Sequence, residues 1–179
     1  MTYEPIPLNP IQQPIAVASA SPQFYLRTAM KNDVVPIVNA EKQAKLPTWP
    51  VREFVAIFNV KQIMTELVQD GTGKIYGYMV LERRKNHYHF GKFVAFNQNL
   101  AVANLMTRKI ASQIQKTYGN QRAAVIPVRE SDLWMQLMLR NAGYQCFKVQ
   151  RDYYQDTGES AYLMIYRRPE RVEQEERNK

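Results

Sequence analysis

The spacing of apolar runs between residues 62 and 128 constrains the fold most. Residues 62–68, 75–83 and 88–96 each read as a strand. The spacers between them, Asp70-Gly71-Thr72-Gly73 and Lys85-Asn86, are turn sequences too short to hold a helix. Such spacers join antiparallel neighbours, so the three runs predict a meander. The pattern then changes period. Across residues 99–118, Ala103, Met106, Ile110 and Ile114 recur at spacings of three and four, which marks one face of a long helix. Gly119 and Asn120 end it. Residues 123–128 are short and apolar, as expected of a buried strand running parallel to its neighbour.

The flanks extend this order. Residues 24–30 suit a first strand. Asn32 or Asp33 is placed to cap a helix running to about Lys45, with Pro36 in its first turn, where a missing N–H costs little. Pro47-Thr48-Trp49-Pro50 breaks that helix, and residues 51–58 suit a second. After the parallel strand, Ser131 is expected to cap a helix whose apolar face is Leu133, Trp134, Leu137 and Met138 and which Gly143 stops. Residues 144–154 and 160–167 suit a closing hairpin around Gln155-Asp156-Thr157-Gly158. The whole reads βααβββαβαββ, an α/β domain on a mixed sheet with helices on both faces. The expected division is an extended Pro-rich arm over residues 1–23, one domain over 24–168 and a charged tail over 169–179.

Several function classes fall away. No segment holds the roughly 18–20 apolar residues of a membrane span, and the N-terminus lacks the pattern of a signal peptide. A single cysteine, Cys146, cannot form an internal disulfide, which suits a reducing, cytoplasmic-type compartment. It is expected to be a half-buried strand residue. No Cys/His cluster has metal-ligand spacing. The net charge of +8 suits an anionic ligand or an acidic partner. The basic residues are scattered, with no basic stripe along a helix, so nucleic-acid readout is not expected.

Three stretches carry a family resemblance: Phe93-Val-Ala-Phe-Asn-Gln-Asn-Leu-Ala-Val-Ala-Asn-Leu-Met106, Val128-Arg-Glu-Ser-Asp132 with the later Asn141-Ala-Gly-Tyr144, and Arg151-Asp-Tyr-Tyr-Gln-Asp-Thr-Gly-Glu-Ser-Ala-Tyr162. In that order they resemble the GNAT superfamily of acetyltransferases. The likeness is closest to the N-terminal acetyltransferases, including the bacterial type that acts on ribosomal proteins. The family binds the pyrophosphate of coenzyme A with Gln/Arg-x-x-Gly-x-Gly/Ala, and here Gln98-Asn99-Leu100-Ala101-Val102-Ala103 fits it, with Ala101 replacing the first glycine. The resemblance therefore implies acetyl-CoA, held by Phe93, Val94, Ala95, Gln98, Asn99, Leu100, Ala101, Val102, Ala103 and Asn104. A strand ends there and a helix begins, so free N–H groups meet the phosphates. The methyl of Ala101 leads us to expect weak binding.

The catalytic positions depart from the family pattern. The fifth-strand position of the general base is Pro127. The helical position of the general-acid tyrosine, seven residues beyond Asp132, is Leu139, with Met135 between them. Neither Pro127 nor Leu139 can move a proton. His87 and His89 are expected at the start of the strand before the cofactor loop and are candidate bases. Tyr153 and Tyr154 are candidates for lining the acceptor groove, one facing the core and the other solvent, because strand neighbours alternate. Glu130 and Asp132 read as helix N-terminal charges. Two functions fit: a slow N-acetyltransferase acting on a primary amine such as a protein or peptide N-terminus, or a non-catalytic module of the same fold that contacts an assembly, a virion for example, through its N-terminal arm.

Overall fold

The computed structural model describes residues 22–116 and 123–167. Residues 1–21 of the arm, the helix stop at Gly119 and Asn120, and the charged tail lie outside them. The elements are β1 (Tyr25–Thr28), α1 (Val34–Gln43), α2 (Val51–Ile57), β2 (Ile63–Gln69), β3 (Ile75–Arg83), β4 (Tyr88–Ala95), α3 (Leu100–Lys116), β5 (Ala123–Arg129), α4 (Leu133–Asn141), β6 (Gln145–Tyr154) and β7 (Glu159–Arg167). This is the expected βααβββαβαββ order. The seven strands form one sheet in the order β1-β2-β3-β4-β5-β7-β6. Neighbours are antiparallel except β4 and β5, which run parallel.

Strand alternation sends side chains to two cores. Val68, Met79 and Leu81 face a cluster closed by Val102, Met106 and Ile110 of α3 and by Met135, Met138 and Leu139 of α4. Their neighbours Leu67, Tyr78 and Val80 face a second cluster, closed by Val34, Ile37 and Val38 of α1 and Phe54 of α2. The α3 core lies close to the sheet because β3 carries glycine beneath it. A Cβ on Gly77 would stand 2.6 Å from Val102 Cγ1 and 2.6 Å from the Val94 carbonyl oxygen.

Four local expectations are corrected. Of the expected α4 face, Leu133 and Leu137 are exposed, and Met135, Met138 and Leu139 are the buried residues. Asp132, not Ser131, caps α4, its Oδ1 accepting from the Met135 N–H at 3.0 Å. Cys146 is exposed rather than half-buried, because β6 is the outermost strand of the sheet. Tyr153 and Tyr154 do not divide between core and solvent; both are half-buried. The register shifts between Gln150 and Tyr154, and Asp152 takes a left-handed conformation at φ 50°. That irregularity ends the strict two-residue alternation.

Candidate active site

Beta4 and β5 pair at just two positions, Tyr88 with Ala124 and His89 with Val125. Beyond them the strands part. From Phe90 onward the main chain of β4 has no strand partner on its β5 side, and a cleft of about 520 Å³ opens there. Its walls come from Phe90 to Val94 of β4, Ile126 to Arg129 of β5, the segment around Pro47 and Trp49, and Tyr153, Tyr154 and Asp156 of the last hairpin. Gly91 is the extra residue of a bulge: Val80 pairs with Lys92 while Leu81 pairs with Phe90. The bulge turns Lys92 toward α1.

Lys92 and Glu41 define the polar part of the cleft. Glu41 is fully buried although it is a carboxylate. Its Oε1 accepts from the Tyr78 hydroxyl and from the Lys92 ammonium, while its Oε2 is buried with no hydrogen-bond partner. Lys92 Nζ also donates to the Pro47 carbonyl at 2.8 Å and lies 5.0 Å from the centre of the Trp49 ring. Burial pushes the Lys92 ammonium below its usual pKa, opposed by Glu41. Burial, with the hydrogen bond to Glu41, pushes the Tyr78 phenol well above its own. The sequence carried a signal for Glu41: it stands at the i+7 position of the apolar stripe Val34, Ile37, Val38. A charge on a core stripe calls for a reason, and our reading of the sequence passed over it.

The four expected catalytic residues come together only in part. His89 and Tyr153 line the cleft and also a second cavity; Tyr154 lines the cleft alone and His87 the second cavity alone. The imidazole centroids lie 6.4 Å apart. Burial, helped by the Arg84 charge, lowers the pKa of both. The Tyr154 hydroxyl donates to the Pro127 carbonyl at 3.1 Å, and its ring lies 4.0 Å beneath the Arg129 guanidinium. Burial is the main cause that raises the Tyr154 pKa to about 12. Arg129 holds the hairpin turn through Asp156, Thr157 and Glu159 at 2.7 to 2.9 Å. Leu139 is fully buried in the α3 core.

Of the ten residues expected to hold the cofactor, Phe93 and Val94 line the cleft and the other eight line neither cavity. Those eight follow where β4 runs into α3. Asn97 and Gln98 turn the chain with φ of 54° and 53°. The Asn99 side chain accepts from the Val102 N–H at 3.2 Å, and its carbonyl accepts from the Ala103 N–H at 3.0 Å. Val102 and Ala103 are fully buried, while Leu100 and Ala101 are exposed. The N–H groups of Leu100 and Ala101 have no acceptor within the helix by geometry, so an anion can be received there. No group of three or more His, Cys, Asp or Glu among the described residues could hold a metal ion. No helix among them is long and apolar enough to cross a membrane.

The seven-stranded sheet, parted at β4 and β5 with a helix starting at the end of β4, is the fold of the GNAT N-acetyltransferases. No protein-family model matches the chain, and no curated protein sequence does. Solved structures match it closely in shape. The Escherichia coli ribosomal-protein-S18-alanine N-acetyltransferase superposes with a TM-score of 0.66 at 14% identity, over 81% of this chain and 94% of that one. Arabidopsis thaliana NAA60 in complex with acetyl-CoA gives 0.69 at 9% identity, over 81% and 99%. The spermidine N-acetyltransferase of Vibrio cholerae gives 0.67 at 14% identity, over 86% and 99%. Identity this low carries the fold alone.

Proposed function

We propose that the protein transfers an acetyl group from acetyl-CoA to a primary amine, a peptide or protein N-terminus being the fitting acceptor. The observation that carries this reading is the bare, buried Oε2 of Glu41 in the wall of the β4–β5 cleft. A buried carboxylate oxygen without a donor costs free energy, and an incoming ammonium removes that cost. Solved relatives in shape include a complex with acetyl-CoA, and the chain retains the strand-to-helix junction such a ligand needs. Leu100 and Ala101 would receive its phosphates on their N–H groups. The free edge of β4 from Phe90 to Val94 would receive an extended amide-bearing arm by main-chain hydrogen bonds. When bound, acetyl-CoA supplies a thioester whose acetyl carbon forms the new C–N bond while its C–S bond breaks.

The residues of this chain then have separate tasks. Glu41 anchors the amine and orients it. His89, kept neutral near pH 7 by burial, takes the proton that the nitrogen loses. Tyr154 stays protonated and offers its hydroxyl to the departing sulfur, leaving the Pro127 carbonyl to do so. With Pro127 and Leu139 where the fold elsewhere places a base and an acid, turnover is slow. Much of the acceleration comes from holding the reactants together. A free α-amine, with a pKa of about 7.7–8.0, needs little help to lose its proton.

The test joins calorimetry with coenzyme A to mass-spectrometric acetylation of free-amine peptides. We expect weak coenzyme A binding that Ala101→Gly tightens, and slow acetylation that falls about 10²-fold or more in Glu41→Gln and in His89→Gln. Coenzyme A binding without acetylation of any amine would overturn catalysis. It would leave the second reading, a binding or assembly module such as a virion component, which the buried Leu139 and the Pro127 strand favour. No heat from either wild type or Ala101→Gly at millimolar coenzyme A would overturn the cofactor as well.

A further inference from the structure

The second cavity, of about 570 Å³, lies on the face of the sheet that α1 and α2 leave open. The α1–α2 cluster draws its strand members from β2, β3 and β4, and none from β5, β6 or β7. The floor of the cavity is therefore bare sheet, with Val125, Leu163 and Ile165 as its apolar base. Its rim is basic. Arg84 and His87 stand at the β3–β4 turn, His89 on β4 and Arg167 at the end of β7. No carboxylate among the described residues lines it. Glu82 stands nearby and is committed to Arg84, with its Oε2 accepting from Arg84 at 2.8 Å. His89 and Tyr153 line both cavities, so the two adjoin.

An apolar floor, a one-sign rim and a wall shared with the acceptor cleft are the parts of a subsite for an anionic extension of the acceptor. The net charge of +8 has the same sign. We infer that this cavity selects acceptors whose amine is followed by acidic residues, binding a carboxylate between His87 and Arg167 while the amine lies in the β4–β5 cleft. The inference rests on the acetyl-transfer reading for its link to the amine. The carboxylate site itself rests on the rim alone.

Protonation has a predictable sign here. The groups facing the two imidazoles are each other, Arg84, Glu82, Tyr153 and Arg167. At neutral pH the fixed charges of Arg84 and Glu82 oppose one another, and Arg167 is the remaining positive charge. Acidification adds a charge on His87 and on His89, so an acidic ligand binds more tightly as pH falls, until its own carboxylates protonate.

Fluorescence anisotropy with labelled short peptides tests this without any acetyl donor. One peptide has glutamates at its second and third positions, one has glutamines and one has lysines. An N-acetylated copy of the acidic peptide isolates the carboxylate site. The acidic peptides should bind at least about tenfold more tightly than the glutamine peptide, the worth of one charge-assisted hydrogen bond. The preference should grow from about pH 7 to about pH 5, because burial holds both imidazoles below the ordinary value of about 6.5, and vanish in Arg167→Gln with His87→Gln. Gln150→Glu, which places a carboxylate on the exposed β6 side of the cavity, should abolish it without touching the fold. Equal affinity for all three peptides, or a preference that survives both variants, would overturn the subsite. Acetylation of all three peptides at the same efficiency would also overturn it while leaving acetyl transfer standing. Tight, pH-dependent binding of acidic peptides that are never acetylated would keep the subsite and overturn acetyl transfer.

Discussion

Two carboxylates in this protein respond to acid in opposite directions. Glu66 on β2 is buried, and desolvation raises its pKa, with Lys109 on α3 opposing. Its ionised form is disfavoured in the fold, so the penalty is complete above the raised value and relieved as pH falls through it. Glu159 has its pKa lowered to about 2 by Ser131 and Arg129. Its contribution is present above the ordinary carboxylate range and is lost as pH falls toward about 2. Glu66→Gln should therefore raise the melting temperature at pH 7, with the gain shrinking to nothing near pH 4, below the usual glutamate pKa of about 4.3. A Glu66→Gln protein that melts lower than wild type at neutral pH would show that the carboxylate is needed for its charge. Glu41 differs from both, because its charge is matched by Lys92 and its other oxygen is buried without a partner. The sequence showed it only as a charge on an apolar stripe, and no spacing rule links it to Lys92, which lies on another element and is aimed by a bulge.

Among the elements, the β3–α3 contact sets the position of the β4–α3 junction proposed to hold the cofactor. The apolar run of β3 and the three-and-four spacing on α3 were both legible in the sequence. Gly77 inside the strand was visible too, and the structure supplies its reason: α3 approaches too closely for a Cβ. Gly77→Ala should cost about 1–3 kcal/mol, as overpacking does. It should also weaken coenzyme A binding, because relief requires Val102 of α3 and the Val94 carbonyl of β4, on either side of the junction, both to shift. Chemical denaturation and calorimetry on the same variant check both. Loss of stability with unchanged coenzyme A affinity would separate the junction from the ligand. The irregular elements were less legible. Nothing local announces the bulge at Gly91 or the left-handed Asp152, because each arises from the way a strand meets its neighbour. The alternation rule accordingly misplaced Tyr153 and Tyr154, which share the cleft, and put Cys146 half inside when no further strand covers β6.

At the scale of the molecule, the named members of both cores fall between Phe24 and Tyr166, with Phe24 packed edge-on against Tyr76 at 4.9 Å. Deleting residues 1–21 should leave the melting temperature within about 2 °C of wild type, the shift expected from less than about 0.5 kcal/mol. A drop of ten degrees or more would make the arm part of the folded unit. The order of elements, the mixed sheet and the helices on both faces followed from patterns repeated over many residues. The site did not, because it is assembled from single residues on five elements and from an absence of pairing between two strands. That absence has a mechanical consequence. Two residue pairs act as the pivot of a wedge, and His89 to Val94 forms an arm of about 17 Å at roughly 3.3 Å per residue. A tilt of about 3° at the pivot displaces the far end by about 1 Å, enough to bring reacting atoms into line or take them out of it. A substitution beside Ala124 or Val125, neither of which lines the cleft, is thus a lever on its geometry.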